Sequence, residues 1–209
     1  MNRSWISALT IALGISVVGL SSCAPYTVNI AMNPQVPNDI RVRLPFTVGL
    51  YLSPEFEMYH WRESDVKNQR TLDYDLGSAS KALFLQTFMD MTREIRMVSR
   101  KPPYIGPDEP AVAIVIEPQI VGFGQEHPAY FIYLAHIEYR VIVYDRTGAI
   151  LLDKIYRGDG EAQGEIERYM ASDLNFIIMT YNFAAPAKIA MSRAIAALLN
   201  DVSQLSVGP

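Results

Sequence analysis

The sequence is poor in the residue types on which most metal proteins and many enzymes depend. Its 209 residues include one cysteine and three histidines, which excludes an intramolecular disulfide and a metal centre built from several cysteines. The histidines at positions 60, 127 and 136 match no metal-ligand spacing, and neither a His-Glu-x-x-His pair nor a Gly-x-Ser-x-Gly nucleophile turn occurs. We therefore expect no catalytic residues, no metal and no cofactor.

Basic residues are also too few for a nucleic-acid-binding protein. The formal charge is −4, with 18 Lys and Arg against 22 Asp and Glu, so no basic stripe is available to neutralise phosphates. Hydrophobic residues make up 50% of the chain and aromatic residues 11%, enough to bury a substantial core. The composition predicts a folded protein that binds no nucleic acid.

The longest apolar run lies near the N-terminus and ends close to the only cysteine. Arg3 precedes an apolar stretch from about Trp5 to Leu20. This stretch is shorter than the ~20 apolar residues that a helix needs to cross a bilayer. A short basic segment, an apolar run and closing small residues are typical of a signal peptide, which we place at residues 1–22.

The residues that close this run, Leu20-Ser21-Ser22-Cys23, resemble the lipobox of bacterial lipoproteins. The resemblance implies cleavage before Cys23, attachment of diacylglycerol to its thiol, and acylation of its new amine, commonly by palmitate. Ala24 stands where an Asp would imply retention in the inner membrane, so the resemblance implies an outer-membrane anchor with the protein facing the periplasm. The alternative is an inert, buried cysteine that ends a signal sequence by coincidence.

Downstream of the cysteine, the composition predicts a tether followed by one domain. Three prolines and three asparagines occur between residues 24 and 40, which is typical of an extended linker. We therefore predict a flexible tether over residues 23–40 and a periplasmic domain over residues 41–209.

Hydrophobic periodicity within this domain predicts an α+β fold of two layers. It indicates strands near residues 41–54, 111–123, 129–145 and 149–160, a helix over 79–98, and a helix over 188–205 that an earlier helix precedes with an interruption at Pro186. Residues 55–75 are assigned to a loop or an edge hairpin. The order β-α-β-β-β-α predicts a sandwich: a mainly antiparallel sheet of about four strands, with two long helices on one face.

Aromatic residues supply the only candidate interaction surface. Tyr59, His60 and Trp61 are consecutive in the polar segment, and several tyrosines crowd the strands of the last hairpin. Tyrosine suits protein interfaces because one end is apolar and the other hydrogen-bonds. The alternative is that these residues belong to the core and its loops. The predicted interaction surface comprises Tyr59, His60, Trp61, Tyr130, Tyr133 and Tyr144.

The order of segments in the body of the chain is also familiar. The strand VAIVIEPQI, the hairpin IEYRVIVYDRTGAILLDKIYRGDG and the alanine-rich last helix resemble small envelope lipoproteins. These are the YajG-type lipoproteins, the auxiliary lipoproteins of ABC-type transport and, more distantly, the curli-secretion lipoprotein. The resemblance implies a non-enzymatic component of an envelope assembly, secretion or transport machine that binds other envelope proteins, with self-association as a further expectation.

Two other functions compete with this one. The first is a lipoprotein that holds a lipid or glycan between sheet and helices and delivers it to a transporter. The second is a peptidoglycan-modifying enzyme that uses Glu117, Glu138 or His136.

Overall fold

The structure is a computed structural model that describes residues 26–36, 43–65, 70–106, 109–129, 132–163 and 172–205. Its strands are β1 Tyr26–Ile30, β2 Leu44–Leu50, β3 His60–Asp65, β4 Arg70–Asp75, β5 Thr92–Met97, β6 Ile114–Ala129, β7 Ile132–Asp145 and β8 Ile150–Gln163. Its helices are α1 Pro54–Glu57, α2 Leu76–Met91 and α3 Ser172–Val202.

The chain divides into two compact units. The smaller comprises residues 1–28 and 62–73, and the larger comprises residues 29–61 and 74–209. In the described part of the smaller unit, Val28 and Leu72 are buried. There the guanidinium of Arg62 donates to the carboxylate of Asp73 at 2.9 Å.

The α+β class is confirmed, but the strands form two sheets, with three strands in the order β1-β4-β3 and five in the order β5-β2-β6-β7-β8. The prediction of about four strands was therefore wrong. Strand β2 runs parallel to both β5 and β6, whereas β6, β7 and β8 are antiparallel neighbours. The five-stranded sheet is thus mixed in direction.

The additional strand arises where the second half of a helix was predicted. Helix α2 begins at an Asp75 cap, whose side chain accepts from the backbone of Ser78, and it ends at Met91. Thr92 then turns to an extended conformation, and its hydroxyl donates to the carbonyl of Phe88 at 2.7 Å. A β-branched residue favours this change. The predicted helix over 79–98 is therefore a shorter helix followed by an edge strand.

Other predicted elements agree more closely with the structure. The segment 55–75 holds α1 and the neighbouring strands β3 and β4, in agreement with the hairpin alternative. The turn between β7 and β8 is present, with Gly148 at a φ of 92°. Helix α3 continues through Pro186, so the predicted interruption does not occur. No helix within the described ranges is long and apolar enough to cross a membrane.

The predicted tether contains regular structure. Tyr26–Ile30 form β1, and Val28 and Ile30 are buried. Farther along, the hydroxyl of Ser192 on α3 donates to the carbonyl of Gln35 at 2.6 Å. Part of the segment assigned to a flexible tether is therefore ordered, with a residue held against the last helix.

Both long helices pack on the same face of the five-stranded sheet. Tyr139 of β7 is fully buried under α2, where its ring contacts Phe84 at 5.4 Å between centroids and its hydroxyl lies 2.7 Å from that of Ser80. Its cross-strand partner on β8 is Tyr156, and along that strand Gly158 and Gly160 lie under α3. The predicted two-layer arrangement, with both helices on one side, matches this packing.

Two glycines of β8 allow α3 to approach closely. A Cβ atom added to Gly158 would lie 1.9 Å from the carbonyl oxygen of Ala190, and one added to Gly160 would lie 1.9 Å from that of Pro186. These obstacles are backbone atoms of a long helix, so they cannot move aside as a flexible side chain would. The helix backbone therefore rests on the strand with no space for a methyl group.

We expect Gly158→Ala to lower the free energy of unfolding by about 3 kcal/mol or more, because the methyl group forces α3 away from β8. Urea denaturation measures the change. Gly122→Ala is the matched control, since its added Cβ would lie 3.1 Å from a terminal oxygen of the Glu138 side chain, which can rotate. Equal stability of the two variants would contradict the contact.

Candidate functional site

The first three residues of the predicted surface have different environments. Trp61 is half-buried and packs edge-on against Phe123 and Tyr74, with centroid distances of 5.0 Å and 5.3 Å. His60 is exposed, and its Nε2 lies 3.9 Å from a carboxylate oxygen of Asp75. Tyr59 is half-buried and lines a surface cleft. Trp61 thus belongs to an aromatic cluster, whereas Tyr59 belongs to the wall of the cleft.

The tyrosines of the hairpin are divided between the two faces of the five-stranded sheet. Tyr133 lies on the helix-covered face and contacts His127 and Phe183 at centroid distances of 4.9 Å and 5.4 Å. Tyr144 lies on the opposite face, which we call the second face. Tyr130 and Cys23 lie outside the described residues. The predicted surface is therefore not one continuous patch among its described members.

The second face carries a buried carboxylate, Glu117, inside the apolar strand β6. Its side chain is 2% exposed, and a buried charge is costly unless it is paired and hydrogen-bonded. Lys101 supplies the pairing, with Nζ 2.6 Å from Oε1. The hydroxyl of Tyr144 donates to Oε2 at 2.7 Å, and the amide of Gln119 donates to Oε1 at 3.0 Å. Three donors therefore satisfy one carboxylate.

These contacts hold Glu117 in its ionised form. Burial alone raises the pKa of its carboxyl group, but the donors Lys101, Tyr144 and Gln119 outweigh this effect, so the pKa lies below its ordinary value of 4.5. The pKa of Tyr144 rises, first because its hydroxyl is desolvated and then because it donates to the Glu117 carboxylate. At neutral pH Glu117 is thus a carboxylate and Tyr144 a neutral phenol.

Next to Glu117 lies a cleft of about 550 Å³. Its walls come from the segment after β2, from α1, from the loop after β5 and from β6. Lys101 lies over the ring of Tyr51, 5.6 Å from the centroid, so the lysine contacts both an aromatic wall and the carboxylate. The cleft is lined by Tyr51, Ser53, Glu55, Phe56, Tyr59, Lys101, Glu117, Gln119, Ile120 and Val121.

Two carboxyl groups, those of Glu55 and Glu117, line this cleft. Glycoside-cleaving enzymes use such a pair of carboxyl groups. Such enzymes need one carboxyl group with a raised pKa to serve as general acid. The pKa of Glu55 is lowered, first by a backbone hydrogen bond and then by Ser53, and that of Glu117 is lowered as well. The pair lacks the raised pKa expected of a hydrolytic acid.

The other residues considered for catalysis lie elsewhere on the second face. His136 lies across Gly124 and lines a separate cavity of about 230 Å³ together with Arg157 and Asp159. Glu138 pairs with Arg157 at 3.3 Å. Among the described residues, no group of three His, Cys, Asp or Glu side chains is placed to hold a metal ion. Glu117, Glu138 and His136 are thus not gathered into one site.

Sequence reasoning missed Lys101, Tyr51 and Gln119 as members of the site. A single glutamate inside an apolar strand signals that a buried charge needs a partner. That partner comes from the loop around Lys101, which precedes the strand. The sequence indicates that Glu117 needs a cation but not which of the 18 Lys and Arg residues provides it.

Aliphatic side chains are exposed along β8, the edge strand at one end of the sheet. Ile150 is 59% exposed, Leu151 39% and Ile155 55%. Beside them Arg140 and Asp153 form a two-pronged salt bridge, with distances of 2.8 Å and 2.6 Å. Exposed apolar residues on an edge strand, next to charged residues, are typical of a binding surface.

No protein-family model and no curated protein matches the sequence. Among solved structures, a crystal structure of a DUF330-family protein from Xanthomonas campestris matches with a TM-score of 0.51 and 8% identity, covering 84% of this chain and 94% of that one. A minor lipoprotein from Acinetobacter baumannii matches at 0.36, with 11% identity over 77% and 92% of the two chains. A lipoprotein from Neisseria meningitidis matches at 0.31, with 12% identity over 77% and 100%. The similarity to the Xanthomonas structure shows a shared fold.

We expect Glu117→Gln to lower the free energy of unfolding at pH 7 by about 1–3 kcal/mol, the cost of weakening hydrogen bonds to a charged group. In the wild-type protein the pKa of Glu117 is depressed by folding. Its stabilising contribution is therefore complete above pH 4.5 and is lost as the pH falls through the folded-state pKa. The variant should lose less stability than the wild type between pH 7 and pH 3.

Urea denaturation at both pH values measures this difference. Glu126→Gln, at an exposed position of the same strand, is the control and should retain the wild-type loss. A Glu117→Gln variant that destabilises to the same extent on acidification would show that Glu117 does not contribute to acid sensitivity.

Proposed function

We propose that this protein is a lipid-anchored protein of the bacterial cell envelope that acts by binding other envelope proteins rather than by catalysis. The sequence Leu20-Ser21-Ser22-Cys23 after a short apolar run supports the anchor. With Ala24 following the cysteine, the proposal places the anchor in the outer membrane and the folded part in the periplasm. Three acyl chains would exceed the two signals that stable membrane attachment requires.

The observation that carries the binding function is the surface of β8. A strand at the end of a sheet offers backbone groups to a partner, and proteins that avoid such contacts protect their edges with charged residues. Strand β5 at the opposite end is rich in charge, with Arg93, Glu94 and Arg96. Strand β8 also carries charged residues, but it exposes three aliphatic side chains, Ile150, Leu151 and Ile155, against the single exposed Met97 of β5. We therefore assign the partner surface to the β8 end of the sheet.

The alternative of a ligand held between sheet and helices has less support. The backbone of α3 lies against Gly158 and Gly160 without room for a methyl group. Tyr139, Phe84 and Ser80 fill the neighbouring region under α2. A lipid chain would have to separate layers that are in direct contact.

We expect Cys23→Ser to abolish lipid attachment, because a hydroxyl group cannot replace the thiol that accepts the diacylglyceryl group. Intact-mass spectrometry should show loss of the acyl mass, and cell fractionation should find the variant outside the membrane fraction or as an unprocessed precursor. Ser22→Ala, which keeps a small residue before the cysteine, is the control. Unchanged membrane partition of Cys23→Ser would refute the anchor.

A photoreactive residue tests the partner surface. We expect benzoylphenylalanine at position 155 to give specific cross-links to other envelope proteins in intact cells, because Ile155 is 55% exposed on the proposed surface. The same residue at position 89 is the control, since Met89 is 64% exposed on α2. Mass spectrometry identifies the products. Identical cross-link patterns from positions 155 and 89, or none from position 155, would contradict the assignment.

A further inference from the structure

The cleft beside Glu117 presents several polar groups without partners among the described residues. The hydroxyls of Tyr51 and Tyr59 and the amide oxygen of Gln119 form no hydrogen bond with any other described residue. The ammonium of Lys101 has three N–H donors. Among the described residues, Glu117 is its only hydrogen-bond acceptor. Donors and acceptors thus converge on one cavity.

The charge of the cleft disfavours ionic ligands. Glu117 is already paired with Lys101 and accepts three hydrogen bonds, so it offers little to an incoming cation. A phosphate would meet Glu55 and Glu117 against one lysine, and like charges repel it. These residues favour a neutral ligand that both donates and accepts hydrogen bonds.

The remaining walls are apolar and aromatic. Tyr51 and Tyr59 contribute rings, and Ile120 and Val121 contribute aliphatic groups, whereas the ring of Phe56 is buried against Phe84. A ligand with a flat C–H face can pack on such rings while its edge hydrogen-bonds. An acyl chain would leave the polar groups of the cleft unpaired, which is costly. Hydroxyl-bearing edges combined with a C–H face characterise a sugar ring.

We propose that this cleft is a binding site for a neutral oligosaccharide, with Tyr59 and Gln119 as its principal contacts. The volume of about 550 Å³ falls within the range of small-molecule sites, roughly 300–1,000 Å³. Its carboxylate Glu117 lies on the second face, and none of the residues that line the cleft belongs to the protein-binding surface assigned to β8. The ligand is bound without being cleaved.

The test is isothermal titration calorimetry of the purified full chain in detergent with two probes. Chitotetraose represents N-acetylated amino sugars and maltotetraose represents plain hexoses. Comparing the two affinities shows which class of sugar the cleft prefers. We expect at least one probe to bind, and Tyr59→Ala and Gln119→Ala each to weaken its binding about tenfold, the effect of losing one good contact. Mass spectrometry should find the bound sugar intact.

Control variants separate binding from folding. Tyr59→Phe keeps the ring and removes only the hydroxyl group, so it should fold as the wild type does and bind more weakly. Tyr26→Ala removes an exposed tyrosine that does not line the cleft and should leave affinity unchanged.

Lack of binding by both probes up to about 10 mM, or equal affinity in the wild type, Tyr59→Ala and Gln119→Ala, would overturn the site. Cleavage of a bound sugar would overturn the claim of binding without hydrolysis. Cross-linking from position 155 would be unaffected by any of these results.

Discussion

The direct contact between the backbone of α3 and strand β8 determines which parts of the larger unit are available for function. Because Gly158 and Gly160 lack side chains, the helix backbone lies directly on β8. That face is therefore committed to the core, together with Tyr139 and Tyr156. Both the Glu117 cleft and the exposed residues of β8 must lie on what remains, the second face and the edge of the sheet.

Strand periodicity then determines the role of each aromatic residue. Successive side chains of a strand point to opposite faces, so Tyr133 joins the core-side cluster with His127 and Phe183, whereas Tyr144 supports Glu117. The two residues look equivalent in the sequence because both are tyrosines of the same hairpin strand. Their positions, an odd number of residues apart, separate them.

The sequence was sufficient to predict the hairpin of β7 and β8, the helix that carries the apolar stripe of Phe84, Phe88 and Met91, and the two-layer class, because local periodicity encodes all three. It was insufficient for β5, since Ile95 continues the helical spacing of that stripe while Thr92 ends the helix. It was also insufficient for the site. The pairing of Lys101 with Glu117 is a tertiary contact, made by a loop whose path local propensity does not determine.

Strand β1 has a consequence for the reach of the protein from the membrane. If Cys23 carries the lipid, Ala24 and Pro25 alone separate the anchor from the first residue of β1, Tyr26. A span of three residues extends roughly 10 Å at most, which is far shorter than the reach of the flexible tether predicted over residues 23–40. Strand β1 would therefore be held close to the lipid headgroups, rather than at the end of a long tether.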